Sequence, residues 1–348
     1  MNITAASCVF PSGPGIDLAD VALRATLALN RKHPFYVDRS GNPVRASYFP
    51  EPKLFDVTRW IALAQAALHD LHRQLPAPDP RAQDAPSHDL WLALPPTSRP
   101  GVPANLAEQL FAAVRNGPFL FNTAHLTEGG HAAPVVALHQ AGKSLGTKHA
   151  AGSKSAIVLA VDSWLHPDAL TWLEGEDLLH NAGRPYHGQT HRNPYGCVPG
   201  EAAAAVMLSH SGMAWCQIKG AGAAAEPVLR TDPRPCTGLG WTQAAKQALE
   251  TLPNEQKITH VVSDLNGEPY RADQFGFTAL RIADRLVDDW QPYTPALVSG
   301  DVGSATALVQ VALSANLLRQ QEPGQAAQTH LLLSSSDDSL RAALVLAC

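Results

Sequence analysis

The stretch Asn193-Pro-Tyr-Gly-Cys-Val-Pro-Gly-Glu201 runs straight into Ala202–Leu208. A proline- and glycine-bearing turn therefore feeds a continuous apolar run, of the kind buried on both faces of a sheet. Two later stretches share its turn-then-small-residue texture, Asp264-Leu-Asn-Gly-Glu-Pro269 and Gly300-Asp-Val-Gly-Ser-Ala305. The small residues at 300, 303, 304 and 305 imply close packing of backbone against a following helix.

Around these stretches the chain alternates between strand-like and helix-like segments. Ile3–Phe10 reads as a strand and Leu18–Leu29 as a helix. Phe55–Gln74 has helical spacing and is stopped by Pro76-Ala-Pro-Asp-Pro80. Leu90–Leu94 is a short strand, and Ala104–Arg115 and Ala132–Leu145 are helices, the latter opening just after Gly129-Gly130. Ala156–Val161 matches Ala202–Leu208 as a buried strand. The second half repeats the rhythm: strands at Trp215–Gly220, His260–Ser263, Ala296–Ser299, His330–Ser334 and Ala342–Leu346, with helices at Trp241–Thr251, Ala279–Asp289 and Ala305–Leu318. Such alternation predicts βαβ units and mixed or parallel sheets. The division is expected near Ser209–Gly212, giving halves 1–212 and 213–348.

Composition narrows the function classes. The 348 residues are 45% hydrophobic and only 16% charged, which favours buried strands and a large subunit interface. The net charge of −5, without a basic run, argues against nucleic acid and against an anionic membrane surface. No apolar run is long enough for a membrane span. The opening residues lack a basic segment and read as a first strand, not a signal peptide. Five scattered cysteines without a CxxC fit a reducing, cytoplasmic compartment, with thiols buried and unbridged.

Taken in order and spacing, the three loops resemble the landmark loops of β-ketoacyl synthases and their thiolase-superfamily relatives. Val161-Asp162-Ser163 resembles the strand end after the nucleophile helix, Pro199-Gly200-Glu201 a conserved turn, and Ser334-Ser335-Ser336 the position of a gating loop. The resemblance implies an α/β thiolase fold, duplicated into five layers, αβαβα, with two mixed central sheets. It also implies a cysteine at the amino end of a buried helix, where the dipole lowers its pKa, and two histidines that stabilise an enolate. Carried over position by position, His131 falls on the cysteine, and Asp264 and Asp301 fall on the two histidines. Ala296 replaces the family's lysine.

Carboxylates at the histidine positions would repel an enolate, and when ionised they donate no hydrogen bond. The resemblance therefore implies a degenerate, ketosynthase-like chain that has abandoned condensation. It would serve as a non-catalytic partner, similar to chain-length factors or to accessory proteins of type VI secretion effectors. Dimerisation is expected, as a homodimer or with a related subunit, with Ala156–Ser163 near the interface. An acyl-carrier protein or an effector protein is a further candidate partner. No cofactor is indicated.

The rival reading is an acyltransferase or thioester hydrolase on acyl-CoA or acyl-carrier substrates, using Cys197 or His131 with Asp264 or Asp301. For His131, Asp264 and Asp301 together, a satisfied hydrogen-bond network is the first reading, a repurposed acid–base site the second, and a metal site the last. Cys197 reads as buried filler before nucleophile. Cys8, Cys216 and Cys348 read as core. His180, His187 and His191 read as a solvated loop, because Pro185 and Gly188 oppose a helix there. Glu201 reads as a brace for the turn. Gly300, Gly303, Ser304 and Ala305 read first as close packing of backbone and helix, and as a cradle for a phosphopantetheine arm second.

Overall fold

The computed structural model describes residues 1–50, 56–75, 86–147, 155–186, 189–322 and 324–348. Phe55, the stop at 76–80 and His187 lie outside the described residues. In the first part of the chain, β1 (Asn2–Val9) leads to α1 (Ile16–Arg24), then the β2 (Asn30–Val37) and β3 (Pro43–Ser47) hairpin. There follow α2 (Val57–Arg73), β4 (Ser87–Leu94), α3 (Leu106–Val114), β5 (Leu120–Glu128), α4 (Ala133–Thr147), β6 (Ser155–Ser163) and α5 (Pro167–Gly175). A small hairpin, β7 (Gly183–Tyr186) and β8 (Gln189–Arg192), precedes β9 (Glu201–Ser209). The remainder comprises β10 (Cys216–Ala225), α6 (Leu239–Leu249), β11 (Ile258–Ser263), α7 (Pro269–Arg281), β12 (Leu286–Tyr293), α8 (Ala296–Ser299), α9 (Thr306–Arg319), β13 (Thr329–Ser335) and β14 (Leu340–Ala347).

The large sheet runs β12-β11-β13-β14-β10-β1-β9-β6-β4-β5. It consists of two five-stranded units with one strand order. In β5-β4-β6-β9-β1 the first three strands are parallel and the last two pairings antiparallel. In β12-β11-β13-β14-β10 the same holds. The units touch through two residue pairs, Asn2↔Gln217 and Ile3↔Cys216.

Helices complete the five layers. α2 covers the outer face of the first unit and packs on β1, β9 and β6, with α3 beside it. α4 and α9 lie between the units, and α6 covers the outer face of the second with α7 against it. Small residues make this stacking close. Ala202–Ala205 of β9 are fully buried between helix layers, and a Cβ on Gly220 or Gly222 of β10 would sit 2.0 Å from a carbonyl oxygen of α6. Among the described residues no helix is long and apolar enough to cross a membrane.

Several local expectations are corrected. The helix foreseen over Leu18–Leu29 ends at Arg24, where Thr26 turns left-handed (φ 51°), and the chain continues as β2. The helix foreseen over Ala279–Asp289 starts ten residues earlier, at Pro269. Proline's fixed φ suits a first turn, and the Val287–Tyr293 region becomes an edge strand. Ala296–Ser299 is one helical turn instead of a strand, set by Pro295 before it. Ala156–Ser163 lies inside the sheet, between β4 and β9; the two strands with one neighbour each are β5 and β12.

Candidate functional site

The parallel strands of both units deliver residues to one place from their carboxyl ends, where such sheets form crevices. β5 ends at Glu128 and leads to His131, just before α4. β6 ends at Ser163, before Trp164. β11 ends at Ser263, before Asp264, and β13 ends at Ser335. Asp301 arrives from the α8–α9 turn, tied by its amide to the Val198 carbonyl (2.8 Å), while the Gly200 amide donates to its carbonyl (2.8 Å). The three quoted loops thus interlock.

His131 Nε2 lies 2.8 and 3.1 Å from the two oxygens of Asp301. Asp301 Oδ1 also accepts from Trp164 Nε1 (3.2 Å) and the Gly303 amide (2.8 Å), and Oδ2 from Asn266 Nδ2 (2.6 Å). Burial opposes ionisation of Asp301, but His131, Arg271 and Asn266 outweigh it and hold the carboxyl well below the usual range. Burial likewise lowers the His131 pKa, but Asp301 more than reverses this, so the net movement is upward against the opposition of Arg271.

Arg271, in the first turn of α7, was not foreseen from the sequence and organises the other side. It is 1% exposed. Its Nη1 donates to Asp264 Oδ2 (2.9 Å) and to the Ser335 carbonyl, and its Nη2 to Asp337 Oδ1 (3.0 Å). Nη2 also stands 3.4 Å from His131 Nδ1, which is long for a hydrogen bond. Burial lifts the Asp264 carboxyl above its usual range despite the pull of Arg271. Two donors on one oxygen, Arg271 and the Ser335 amide (2.6 Å), oppose that rise. Asp264 and His131 therefore meet through Arg271.

The surrounding groups are equally engaged. The Ala132 amide, at the start of α4, donates to Ser336 Oγ (3.1 Å). The Ser304 amide donates to Asp162 Oδ2 (2.7 Å), which also receives Arg99 Nη1 (2.7 Å). The amides of Gly303 and Ser304 are thus taken by carboxylates, which argues against a phosphopantetheine cradle at this loop. A Cβ on Gly303 (φ 51°) would strike Asp162 at 2.2 Å. Glu201 pairs with Arg59 and accepts from the Phe49 amide (2.8 Å), a bracing role.

Cys197 is 2% exposed, and burial pushes its thiol well up, reinforced by Asp301 and Glu268. That is the reverse of an activated nucleophile. Cys197, Glu268 and Asp301 bring potential ligand atoms within 4.8 Å of one another. Arg271 Nε lies 3.5 Å from Glu268, and the oxygens of Asp301 already hold four donors. Of these three, Glu268 thus has a cationic neighbour in Arg271, and the Asp301 oxygens are occupied by hydrogen-bond donors. His180 and His191 lie apart from these groups along the chain, around the β7–β8 hairpin.

Little room remains at the centre. A cavity of about 10 Å³, lined by His131, Asp264, Asn266, Asp301 and Thr306 among others, holds at most one water. A separate cleft of about 180 Å³ is lined by His131, Arg99, Trp164, Trp172 and Asp337 among others. Trp164 and Trp172 stack at 6.0 Å, and Arg99 lies 3.9 Å over Trp164.

No protein-family model matches this sequence, and no curated protein matches it. Solved structures do. The oxazolomycin ketosynthase domain OzmH KS7 of Streptomyces albus JA3453 aligns with a TM-score of 0.74 at 13% identity, over 99% of this chain and 75% of that one. The ketosynthase from module 6 of the bacillaene synthase of Bacillus subtilis 168 gives 0.72 at 14% identity, over 99% and 71%. The ishigamide ketosynthase/chain length factor gives 0.66 at 17% identity, over 99% and 98%. The likeness is one of fold: this chain has the thiolase-like ketosynthase fold that its three loops resemble.

Proposed function

We propose that this chain is a ketosynthase-fold subunit that has given up condensation and works as a non-catalytic partner, in the manner of a chain-length factor. One observation carries the reading. His131, where the fold would present its nucleophile, is held by Asp301 on one nitrogen and faced by Arg271 on the other. A nucleophile or proton shuttle needs a free ring nitrogen and space for substrate. The cavity that His131 shares with Asp264 and Asp301 offers about 10 Å³, and the roomier cleft of about 180 Å³ that it borders does not release its Nε2 from Asp301.

The repeated strand order supports residues 1–212 and 213–348 as the duplicated halves. The match to nearly the full length of a ketosynthase/chain length factor supports pairing with a second subunit of the same fold. β5 is the edge suited to it, because it has one strand neighbour and carries Leu120 and Leu126, 56% and 42% exposed.

The test is intact-protein mass after incubation with acyl-CoA and acyl-carrier donors, beside Cys197→Ala and His131→Ala controls, with sedimentation of the same samples. A dimer without a stoichiometric adduct is expected. An acyl adduct that disappears in either control would overturn the loss of activity. A monomer at working concentration would overturn the homodimer, and a monomer that also fails to pair with an added ketosynthase of the same fold would overturn the partner reading.

A further inference from the structure

Cys216 opens β10 and Cys348 follows β14. These strands pair antiparallel, and the last register pair is Gln217↔Ala347. One step further along the ladder sets Cys216 opposite Cys348. Directly opposed residues have Cα atoms about 4.5–5.5 Å apart, inside the roughly 4.4–6.8 Å span of disulfides.

The side chains share a face. Cys216 is 1% exposed and packs in the main core with Trp215 and Leu318. Cys348 Sγ lies 3.5 Å from the Leu318 carbonyl and 3.7 Å from the Trp215 carbonyl, next to Cys216. Cys348 is exposed, whereas Cys8, Cys197, Cys216 and Cys236 are buried. The pair also stands at a particular joint. Cys216 is the partner of Ile3, one of two residue pairs that join the five-stranded units, and the Trp215 amide donates to the Ile3 carbonyl (2.8 Å).

We propose that Cys216 and Cys348 form a redox-responsive dithiol, closed by low-molecular-weight disulfides of the glutathione type into a bond that staples the end of β14 to β10, the strand of the second unit that meets the first. The Cys348 thiolate attacks one sulfur of oxidised glutathione and releases one glutathione thiolate. The Cys216 thiolate then attacks the Cys348 sulfur of the mixed disulfide and releases the second. Two cysteine thiols become one disulfide, one glutathione disulfide becomes two thiols, and the two protons pass to the departing thiolates. Burial raises both thiols, so the exchange is slow at neutral pH and accelerates in mild alkali.

The test incubates the folded protein with oxidised glutathione at about pH 8.5, followed by intact mass, peptide mapping and thermal unfolding. The expected product is lighter by two hydrogens, carries no glutathione, and yields a linked 216–348 peptide. Its Tm rises by about 5 °C and returns with dithiothreitol. Cys216→Ser should instead retain one glutathione on Cys348, and Cys348→Ser should show neither change. Should Cys216→Ser fail to fold, the exposed Cys348→Ser still decides. A persistent glutathione adduct on wild-type Cys348, a link between other cysteines, or an unchanged Tm would overturn the staple.

Discussion

His131 and His330 are both buried, one at the start of α4 in the first unit, the other in β13 of the second. Their pKa values move in opposite directions. His330 is lowered to about 3 by burial, with His260 adding to the effect from a ring 4.4 Å away. Among the described residues its Nδ1 has no hydrogen-bond partner, and its Nε2 meets Gln328 at 3.3 Å. His131 feels burial too, yet Asp301 at 2.8 Å turns the shift upward. Burial alone favours a neutral ring; a carboxylate placed by a distant loop favours the protonated one. The difference lies in what the loop at 300–305 contributes, since both rings are equally shut off from water.

The sharpest way to break that contrast is Asp301→Asn, which should make His131 behave like His330. Removing one member of a buried pair typically costs about 3–5 kcal/mol. Because the amide can still accept from Trp164 and Gly303, a loss of about 3 kcal/mol in urea unfolding is expected. The His131 ring should then titrate below its ordinary value by NMR. A loss below about 1 kcal/mol, or an unmoved ring, would show that the pair is incidental.

A smaller effect comes from His330 itself. Its folded pKa lies below the unfolded value, so protons bind the unfolded chain more readily and stability falls as pH drops from about 6.5 toward 3. Between about pH 7.5 and about pH 5 the loss should be about 2 kcal/mol. His330→Leu should flatten that limb, and an equally steep limb in this variant would assign the acid sensitivity to other groups.

The same contrast explains what could be read from the sequence. β6, β9, β13 and β14 were legible because each carries a run of at least three apolar residues buried on both faces, and α2, α4 and α9 because their small or periodic faces are long. Asp264, Asp301 and His131 were legible as one site because each sits in a loop anchored to such an element. β5 and β12 were missed: edge strands are half-exposed, and Leu120–Glu128 and Leu286–Tyr293 carry polar residues that hide the pattern. Arg271 was missed because an arginine two residues after Pro269 reads as an ordinary solvated helix position. The spacing did hold a clue. A first-turn arginine seven residues after Asp264 can fold back onto the strand end, and the charge of a buried Asp264 calls for such a partner.

The least disruptive test concerns the second carboxylate. Asp264 shares Arg271 with Asp337 and Glu268, and its Oδ1 has no hydrogen-bond partner among the described residues, whereas both oxygens of Asp301 are engaged. Its pKa is raised, so its ionisation costs stability as pH climbs above the unfolded carboxylate value. Asp264→Asn removes that penalty together with the attraction to Arg271, leaving a net loss of about 1 kcal/mol. Urea unfolding of Asp264→Asn beside Asp301→Asn reads the difference directly. Equal losses would mean that Arg271, and not the His131–Asp301 pair, holds the centre closed. A clear excess for Asp301 would place the closure at the 300–305 loop.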